Sequence, residues 1–260
     1  MSARPPGRGT LGSGTLIEAS FRISWDRRDQ LLRIGVVPAA LSLALQILQL
    51  LALTDFAAIM MLTFAEVVPV SMFSVAGYRL LLLGDSALPP GLRPSFGRRE
   101  VRYMLLTLGI AVLGGLVLGG PLSVLVPVDP ARPVTIVAPL LVALALGLYG
   151  LARLSLIFPG CAVDAPVSMI ESVRRTAGVG GQLALALLAT GASSVLATTL
   201  AGLLLAWTGL QQAAPLASAA VMTLLAYAGV AIMLVPPALV FRELSGWRGP
   251  PQPPGLSVVS

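Results

Sequence analysis

The 260-residue chain has no histidine, no lysine and a single cysteine, Cys161. Without histidine it cannot form a serine–histidine triad, a histidine-ligated haem or the usual zinc sites. One cysteine cannot supply a disulfide, a CxxC redox pair or an iron–sulfur cluster within the chain, so we expect a buried structural thiol. We therefore expect no cofactor, no metal and no enzymatic activity.

Charged residues are also scarce. They make up 11% of the chain, whereas typical soluble proteins carry about 25%. Hydrophobic residues make up 56%, the mean hydropathy is +0.90, and the charges lie between long apolar runs. This composition predicts an integral membrane protein and disfavours a soluble enzyme or a secreted module.

Six apolar stretches are long enough to cross a bilayer, which takes about 20 helical residues for roughly 30 Å of hydrocarbon. They lack the two-residue alternation of barrel strands. We predict an all-α polytopic membrane helix bundle, with six transmembrane helices in three antiparallel hairpins and short interfacial helices. The predicted spans run from about Ile34 to Leu53, Phe56 to Leu83, Met104 to Val126, Val134 to Ala152, Leu183 to Trp207 and Ala217 to Phe241.

The arginines predict the orientation of these spans. Sixteen of the seventeen fall on one side of the predicted membrane, and Arg132 is alone on the other. By the positive-inside rule, both termini are expected in the cytoplasm. This placement accounts for a net charge of +6 without a nucleic-acid partner.

The remaining sequence predicts three regions: a disordered arm (1–14), the six-span domain (15–244) and a disordered Pro/Gly-rich tail (245–260). Within the domain, the segments near 15–33 and 165–177 are amphipathic and predict interfacial helices. The apolar face of the first consists of Ile17, Phe21, Trp25 and Leu32, which recur at near-helical spacing. They either position adjacent spans or bind anionic lipid head groups. Membrane lipids are the expected partners, and a homo-oligomer or a membrane-protein partner is left open.

Glu66 is the most informative polar residue, because it lies about 15 Å into the second span. An acid at this depth costs roughly 2.5 to 3.5 kcal/mol on insertion scales. It is either a proton or cation site, or a neutral acid hydrogen-bonded to another span. Gln46 differs from it in depth by roughly 4.5 Å, and Pro69 frees the carbonyl of Ala65 nearby. Glu66, Gln46 and Gln49 form the candidate intramembrane polar site.

Two arginines, Arg79 and Arg153, lie at predicted cytoplasmic span ends, each followed by a further apolar stretch. They act either as snorkelling anchors or as a bidentate fork for a lipid phosphate. In the fifth span, small residues repeat every four positions, as at Ser194, Thr198 and Gly202. This spacing favours close packing within the bundle over a polar conduction path.

The stretches VAGYRLLLLGD (75–85) and RLSLIFPGCAVDAPVSMIESVRRTAG (153–178) resemble signatures of a group of uncharacterised six-span inner-membrane proteins common in alphaproteobacteria. The second is also distantly similar to the membrane domain attached to some glycerophosphodiester phosphodiesterases, whose catalytic domain has no counterpart here. The resemblance implies a membrane-resident, non-hydrolytic protein. Besides Arg79 and Arg153, its signature positions are Gly84, Asp85, Pro159, Asp164, Ser172, Thr176 and Gly178.

The loops between spans are too short to fold alone, and the chain has no phosphate-binding loop. These features favour a non-enzymatic scaffold or accessory protein of the inner membrane that interacts with lipids. The alternative is a small proton-coupled transporter or permease, in which Glu66 exchanges protons while Gln46 and Gln49 line the path.

Overall fold

The computed structural model describes residues 12–51, 55–84, 96–115 and 134–246. Every regular element in these ranges is an α-helix. They are α1 (Ser13–Asp26), α2 (Arg28–Leu51), α3 (Phe56–Ala65), α4 (Val67–Leu83), α5 (Arg98–Gly114), α6 (Val134–Leu154), α7 (Ile157–Ala162), α8 (Met169–Arg175), α9 (Gly180–Trp207), α10 (Leu210–Ala213) and α11 (Pro215–Ser245).

Five helical segments within the described ranges are long and apolar enough to cross a membrane, which makes the chain an all-helical, multi-pass membrane protein. They are Arg28–Gln49, Phe56–Leu83, Leu141–Ala162, Gly180–Trp207 and Pro215–Ser245. The predicted third span begins in α5, but its residues 116–126 lie outside the described residues. The same holds for residues 1–11 of the predicted arm and 247–260 of the predicted tail.

The helices meet at what we call the arginine-rich end of the bundle. There Arg27, just before α2, donates to the carbonyl oxygen of Leu80 in α4 at 2.8 Å. Arg79 in α4 donates to the carbonyl oxygen of Ala162, the last residue of α7, at 3.4 Å. Arg99 in the first turn of α5 pairs with Asp164 just after α7. The start of α2 and α5 and the end of α4 and α7 therefore lie together.

Helices α9 and α11 run antiparallel, and small residues allow them to approach closely. A Cβ on Gly229 would lie 2.8 Å from the Cβ of Ser194, and Cβ atoms on Gly191 and Gly202 would each lie 3.7 Å from methionines of α11. Ser194 and Gly202 belong to the predicted stripe of small residues. Their contacts support packing within the bundle for that stripe.

Packing is uneven along the bundle. Toward the arginine-rich end, α11 buries most residues between Leu234 and Phe241, and α9 buries Leu183. In the other half, α3 has no buried residue, and α9 exposes leucines such as Leu200 and Leu203. The described core is therefore concentrated in one half of the bundle.

The first predicted interfacial segment divides into two helices. Helix α1 ends at Asp26, and residues 28–33 belong to α2, the first span. Helix α1 packs against α9 and α11, and it buries Leu16 rather than the Trp25 of the predicted apolar face, which is 69% exposed. The second segment forms α8, which is shorter than predicted and is capped by the hydroxyl of Ser168.

Candidate functional site

Glu66 lies at a break in the second span. Helix α3 ends at Ala65 and α4 begins at Val67, because Pro69 has no N–H to donate to the carbonyl oxygen of Ala65. The next bond is long, with 3.4 Å between the backbone nitrogen of Val70 and the carbonyl oxygen of Glu66. The break was foreseeable from Pro69.

A chain of hydrogen bonds links Glu66 to two other helices. The hydroxyl of Ser42 in α2 donates to Oε2 of Glu66 at 2.8 Å, and it lies 2.9 Å from the hydroxyl of Tyr227 in α11. A serine hydroxyl carries one hydrogen, so Tyr227 is the donor to Ser42. Ser42 and Tyr227 are both buried. The chain therefore crosses the bundle from α11 through α2 to the break at Glu66.

The second carboxylate oxygen of Glu66 differs from the first. Its Oε1 atom is buried and has no hydrogen-bond partner among the described residues. A buried polar atom without a partner is costly. The Glu66 carboxyl group thus accepts a hydrogen bond at Oε2 and none from the described residues at Oε1.

Gln46 makes a second polar contact one helical turn from Ser42. Its Oε1 atom accepts from the hydroxyl of Thr223 in α11 at 3.1 Å. Residues 42 and 46 on α2 face residues 227 and 223 on α11, which is the register of antiparallel neighbours at i and i+4. Two polar contacts therefore join these two apolar helices.

The structure brings a different set of side chains together from the predicted one. Side-chain hydrogen bonds join Glu66 to Ser42, Gln46 to Thr223, and Gln49 to Thr63 at 3.5 Å. Ser42 was missed, although it precedes Gln46 by four residues and so shares its helix face. Tyr227, also missed, could have been noticed as a lone phenol in a long apolar helix.

Aromatic packing holds Tyr227 in place. The rings of Phe73 and Tyr227 meet edge to face, with 5.0 Å between centroids and 79° between planes. The ring of Phe73 also contacts Gly35 of α2, since a Cβ on Gly35 would lie 3.3 Å from it. Phe73 is almost fully buried, so the phenol has little freedom to swing away from Ser42.

At the arginine-rich end, Arg99 and Asp164 form a close ion pair. The Nε atom of Arg99 lies 2.9 and 2.7 Å from the two carboxylate oxygens, and Nη2 lies 2.5 Å from Oδ2. This guanidinium lowers the pKa of Asp164, and the carboxylate in turn raises the pKa of Arg99. Asp164 has a φ of 57°, a left-handed conformation that aspartate tolerates.

Arg79 and Arg153 both contact protein groups. Arg79 donates to Ala162, as described above. The Arg153 guanidinium carbon lies 5.8 Å from the centroid of the Tyr149 ring, within cation–π range. A Cβ on Gly180 would lie 2.8 Å from Cδ of Arg153. Both arginines therefore help to join helices.

Most of the remaining signature positions build the same end of the bundle. The hydroxyls of Ser172 and Thr176 donate to the carbonyl oxygen of Arg153 at 2.7 and 3.3 Å. Gly84 ends α4 with a φ of 75°, and Pro159 is buried in α7. Gly178 is exposed in the turn before α9, and Asp85 lies outside the described residues.

Comparisons with models of known protein families, with curated proteins and with solved structures find no match to this chain. Among the described residues, no three histidine, cysteine, aspartate or glutamate side chains lie close enough together to hold a metal ion. The polar features of the described residues that bear on function are the hydrogen bonds at Glu66 and the arginine contacts at the arginine-rich end.

Proposed function

We propose that the protein is a six-span scaffold or accessory protein of the bacterial inner membrane. It acts through the surfaces that it presents to lipids and to other membrane helices, and it carries out no covalent chemistry. Its arginine-rich end faces the cytoplasm, and both termini lie on that side. The resemblance to alphaproteobacterial inner-membrane proteins agrees with this location.

One observation carries the proposal: Glu66 is engaged in a hydrogen-bond chain that joins three helices. Interhelical hydrogen bonds stabilise helix association in membranes. An acid in this position holds the second span to the first and the last, which is a structural role. Arg79 and Arg153 serve the same purpose at the cytoplasmic end.

Helix α8 supports contact with the membrane surface. It exposes Met169 and Ile170, the latter to 82%, and it carries Arg174 and Arg175 in its last turn. Arg175 pairs with Glu171 at 2.5 Å. Of the two arginines, Arg174 is therefore the exposed one that can meet a lipid head group. Apolar side chains beside arginine are typical of helices that lie among lipid head groups.

A second candidate function is proton-coupled transport through Glu66. It is favoured by the buried, unpartnered Oε1 atom and by the carbonyl oxygen of Ala65, to which Pro69 donates no hydrogen bond, because transporters bind ions at backbone carbonyls freed within a span. In this case, Tyr227 and Ser42 orient the carboxyl group, and Oε1 is the atom that takes up the proton.

A proteoliposome assay separates the two functions. Purified protein is reconstituted, a pH gradient is imposed, and proton flux is followed with an internal pH dye for wild type and Glu66→Gln. If the protein is a scaffold, wild type and Glu66→Gln should show equal proton flux, because the glutamine side chain keeps an oxygen that accepts from Ser42. Asp55→Asn is the matched control, because Asp55 caps the start of α3. A flux that disappears only in Glu66→Gln would overturn the scaffold and support transport.

A further inference from the structure

A groove opens between α1, α2 and α11 near the arginine-rich end. Its volume is about 360 Å³, within the range of small-ligand sites. Phe73 and Tyr227 form part of its floor, and the other lining residues are mainly aliphatic. The lining residues Leu32, Val36 and Leu224 are each more than half exposed. The groove therefore opens sideways, toward the lipid that surrounds the bundle.

Apart from the hydroxyl of Tyr227, the polar groups of the groove lie at one end. Arg28 and Ser24 line it where α1 meets α2, and the hydroxyl oxygen of Ser24 is buried without a partner among the described residues. Tyr227, farther along, already bonds to Ser42. A ligand that fills this groove must be apolar over most of its length and polar at the end beside Arg28.

The length of the groove fits one leaflet of a bilayer. Its lining on α2 extends from Arg28 to Ala39, about 16 Å at 1.5 Å per residue. Half of a hydrocarbon core of roughly 30 Å is about 15 Å. A chain that enters beside Arg28 would therefore end near the middle of the membrane, beside Tyr227.

The charge at the mouth suits a phosphate. A guanidinium can bind phosphate oxygens through two hydrogen bonds. Arg28 lies 3.7 Å from the carboxylate of Asp29 and donates to the carbonyl oxygen of Trp25 at 3.3 Å. Both contacts are solvent-exposed, and exposed ion pairs are weak. Trp25, whose ring lies 5.1 Å from the guanidinium carbon, has the position of an interfacial aromatic.

From these observations, we infer that the groove holds one acyl chain of a phospholipid from the cytoplasmic leaflet, with the lipid phosphate on Arg28. This inference rests on the proposed membrane-embedded, lipid-contacting role. The bound acyl chain packs against Tyr227. It thereby stabilises the hydrogen-bond chain that runs from Tyr227 through Ser42 to Glu66. The bound lipid is then a part of the packed half of the bundle.

Native mass spectrometry of the full chain tests the inference. Delipidated protein in mild detergent is titrated with phosphatidylglycerol, and the bound lipids are counted. Wild type is expected to hold one phospholipid that survives activation. Ala228→Phe, which fills the groove from α11, should weaken its binding at least tenfold, and Arg28→Gln should weaken it severalfold. Ala192→Phe is the matched control, on an exposed position of α9 outside the groove.

Equal lipid binding by Ala228→Phe and Ala192→Phe would overturn the inference. So would a chain that is dimeric in wild type and monomeric only in Ala228→Phe, because a second copy would then occupy the groove. If Ala228→Phe does not fold, Ala228→Leu tests the same site with less added volume. If the lipid-groove inference fails but reporter fusions still place the chain in the membrane, the proposed scaffold function stands. A chain located outside the membrane would contradict both proposals.

Discussion

At the scale of single residues, Ser42 has a larger structural role than the acid it contacts. Among the described residues, it is the side chain that bonds to both Glu66 and Tyr227, so its removal leaves both groups without their partner. Interhelical hydrogen bonds in membranes average about 0.6 kcal/mol and reach about 1.7 kcal/mol. A residue that makes two of them is expected to contribute about 1 to 2 kcal/mol.

We therefore expect Ser42→Ala to lower the free energy of unfolding by about 1 to 2 kcal/mol. Tyr227→Phe should lower it by about 0.6 kcal/mol, because the ring keeps its contact with Phe73. Steric-trap or denaturant unfolding in micelles measures both. Ser193→Ala is the control, since Ser193 bonds only within its own helix. Additive effects in the double variant Ser42→Ala/Tyr227→Phe would contradict a single connected chain.

The pair of Arg99 and Asp164 predicts a pH dependence at the arginine-rich end. The pKa of Asp164 is lower in the folded protein than its ordinary value of about 3.9. A lowered pKa stabilises the fold fully above the ordinary value, and this stabilisation is lost as the pH falls through the folded pKa. Because both side chains are about half exposed, we expect under about 1 kcal/mol at neutral pH.

The check is thermal unfolding of wild type and Asp164→Asn between pH 3 and pH 7. Asparagine keeps the left-handed conformation accessible, so the comparison isolates the charge. The difference between the two proteins should be present at pH 7 and should shrink below about pH 4. Glu18→Gln removes an exposed pair in α1, at 3.8 Å, as the control. A constant difference across the whole range would rule out the ion pair as its origin.

At the scale of helices, the contact between α9 and α11 depends on one glycine. A Cβ on Gly229 would overlap the Ser194 side chain, so Gly229→Ala should cost about 1 to 3 kcal/mol by overpacking. Gly181→Ala, where nothing lies within 4 Å of the new Cβ, should not destabilise the protein. Ser194→Gly should rescue Gly229→Ala, measured by unfolding in detergent. Without rescue, the destabilisation has another source.

The helices themselves were largely predictable from sequence, because a long apolar run needs only its own composition to form a span. The break at Glu66 was also accessible, since Pro69 acts within four residues. The partners of Glu66 were not. Ser42 lies 24 residues away and Tyr227 lies 185 residues from Ser42, and only the packing of α2 against α11 brings them together. Likewise, similar depth in the membrane suggested Gln46 as a partner of Glu66. The orientation of α2 about its own axis instead places Ser42 against the acid.

The boundary between α1 and α2 was not predictable, because the apolar pattern continues across it. Apolar residues from Ile17 to Leu32 recur at helical spacing, which predicted one interfacial helix. The structure turns at Arg27, whose guanidinium donates to the carbonyl oxygen of Leu80. This contact with α4 lies outside the segment, and no property of the segment itself predicts the turn.

At the scale of the whole molecule, the direction of each helix bears on how often the chain crosses the membrane. Helices α2 and α5 start at the arginine-rich end, and α4 and α7 finish there. Helix α11 runs antiparallel to α2 by the register of Ser42 with Tyr227 and Gln46 with Thr223. It therefore finishes at the end where α2 starts. Because α5 starts at the arginine-rich end and the apolar segment Leu141–Ala162 finishes there, α5 and that segment run in opposite directions. The proposed six crossings require such an arrangement, and five would not give it.

The last prediction follows from this count. With six crossings, reporters fused before α1 and after Ser245 report the same side of the membrane, and a reporter inserted at Arg132 reports the other. With five, the two ends are on opposite sides. Alkaline phosphatase, active only outside the cytoplasm, and green fluorescent protein, fluorescent only inside, measure the three positions. We expect fluorescence at both ends and phosphatase activity at Arg132, because the positive-inside rule retains the arginine-rich end in the cytoplasm. Phosphatase activity at either end would contradict the topology, since the antiparallel pairing of α2 with α11 requires both ends on one face.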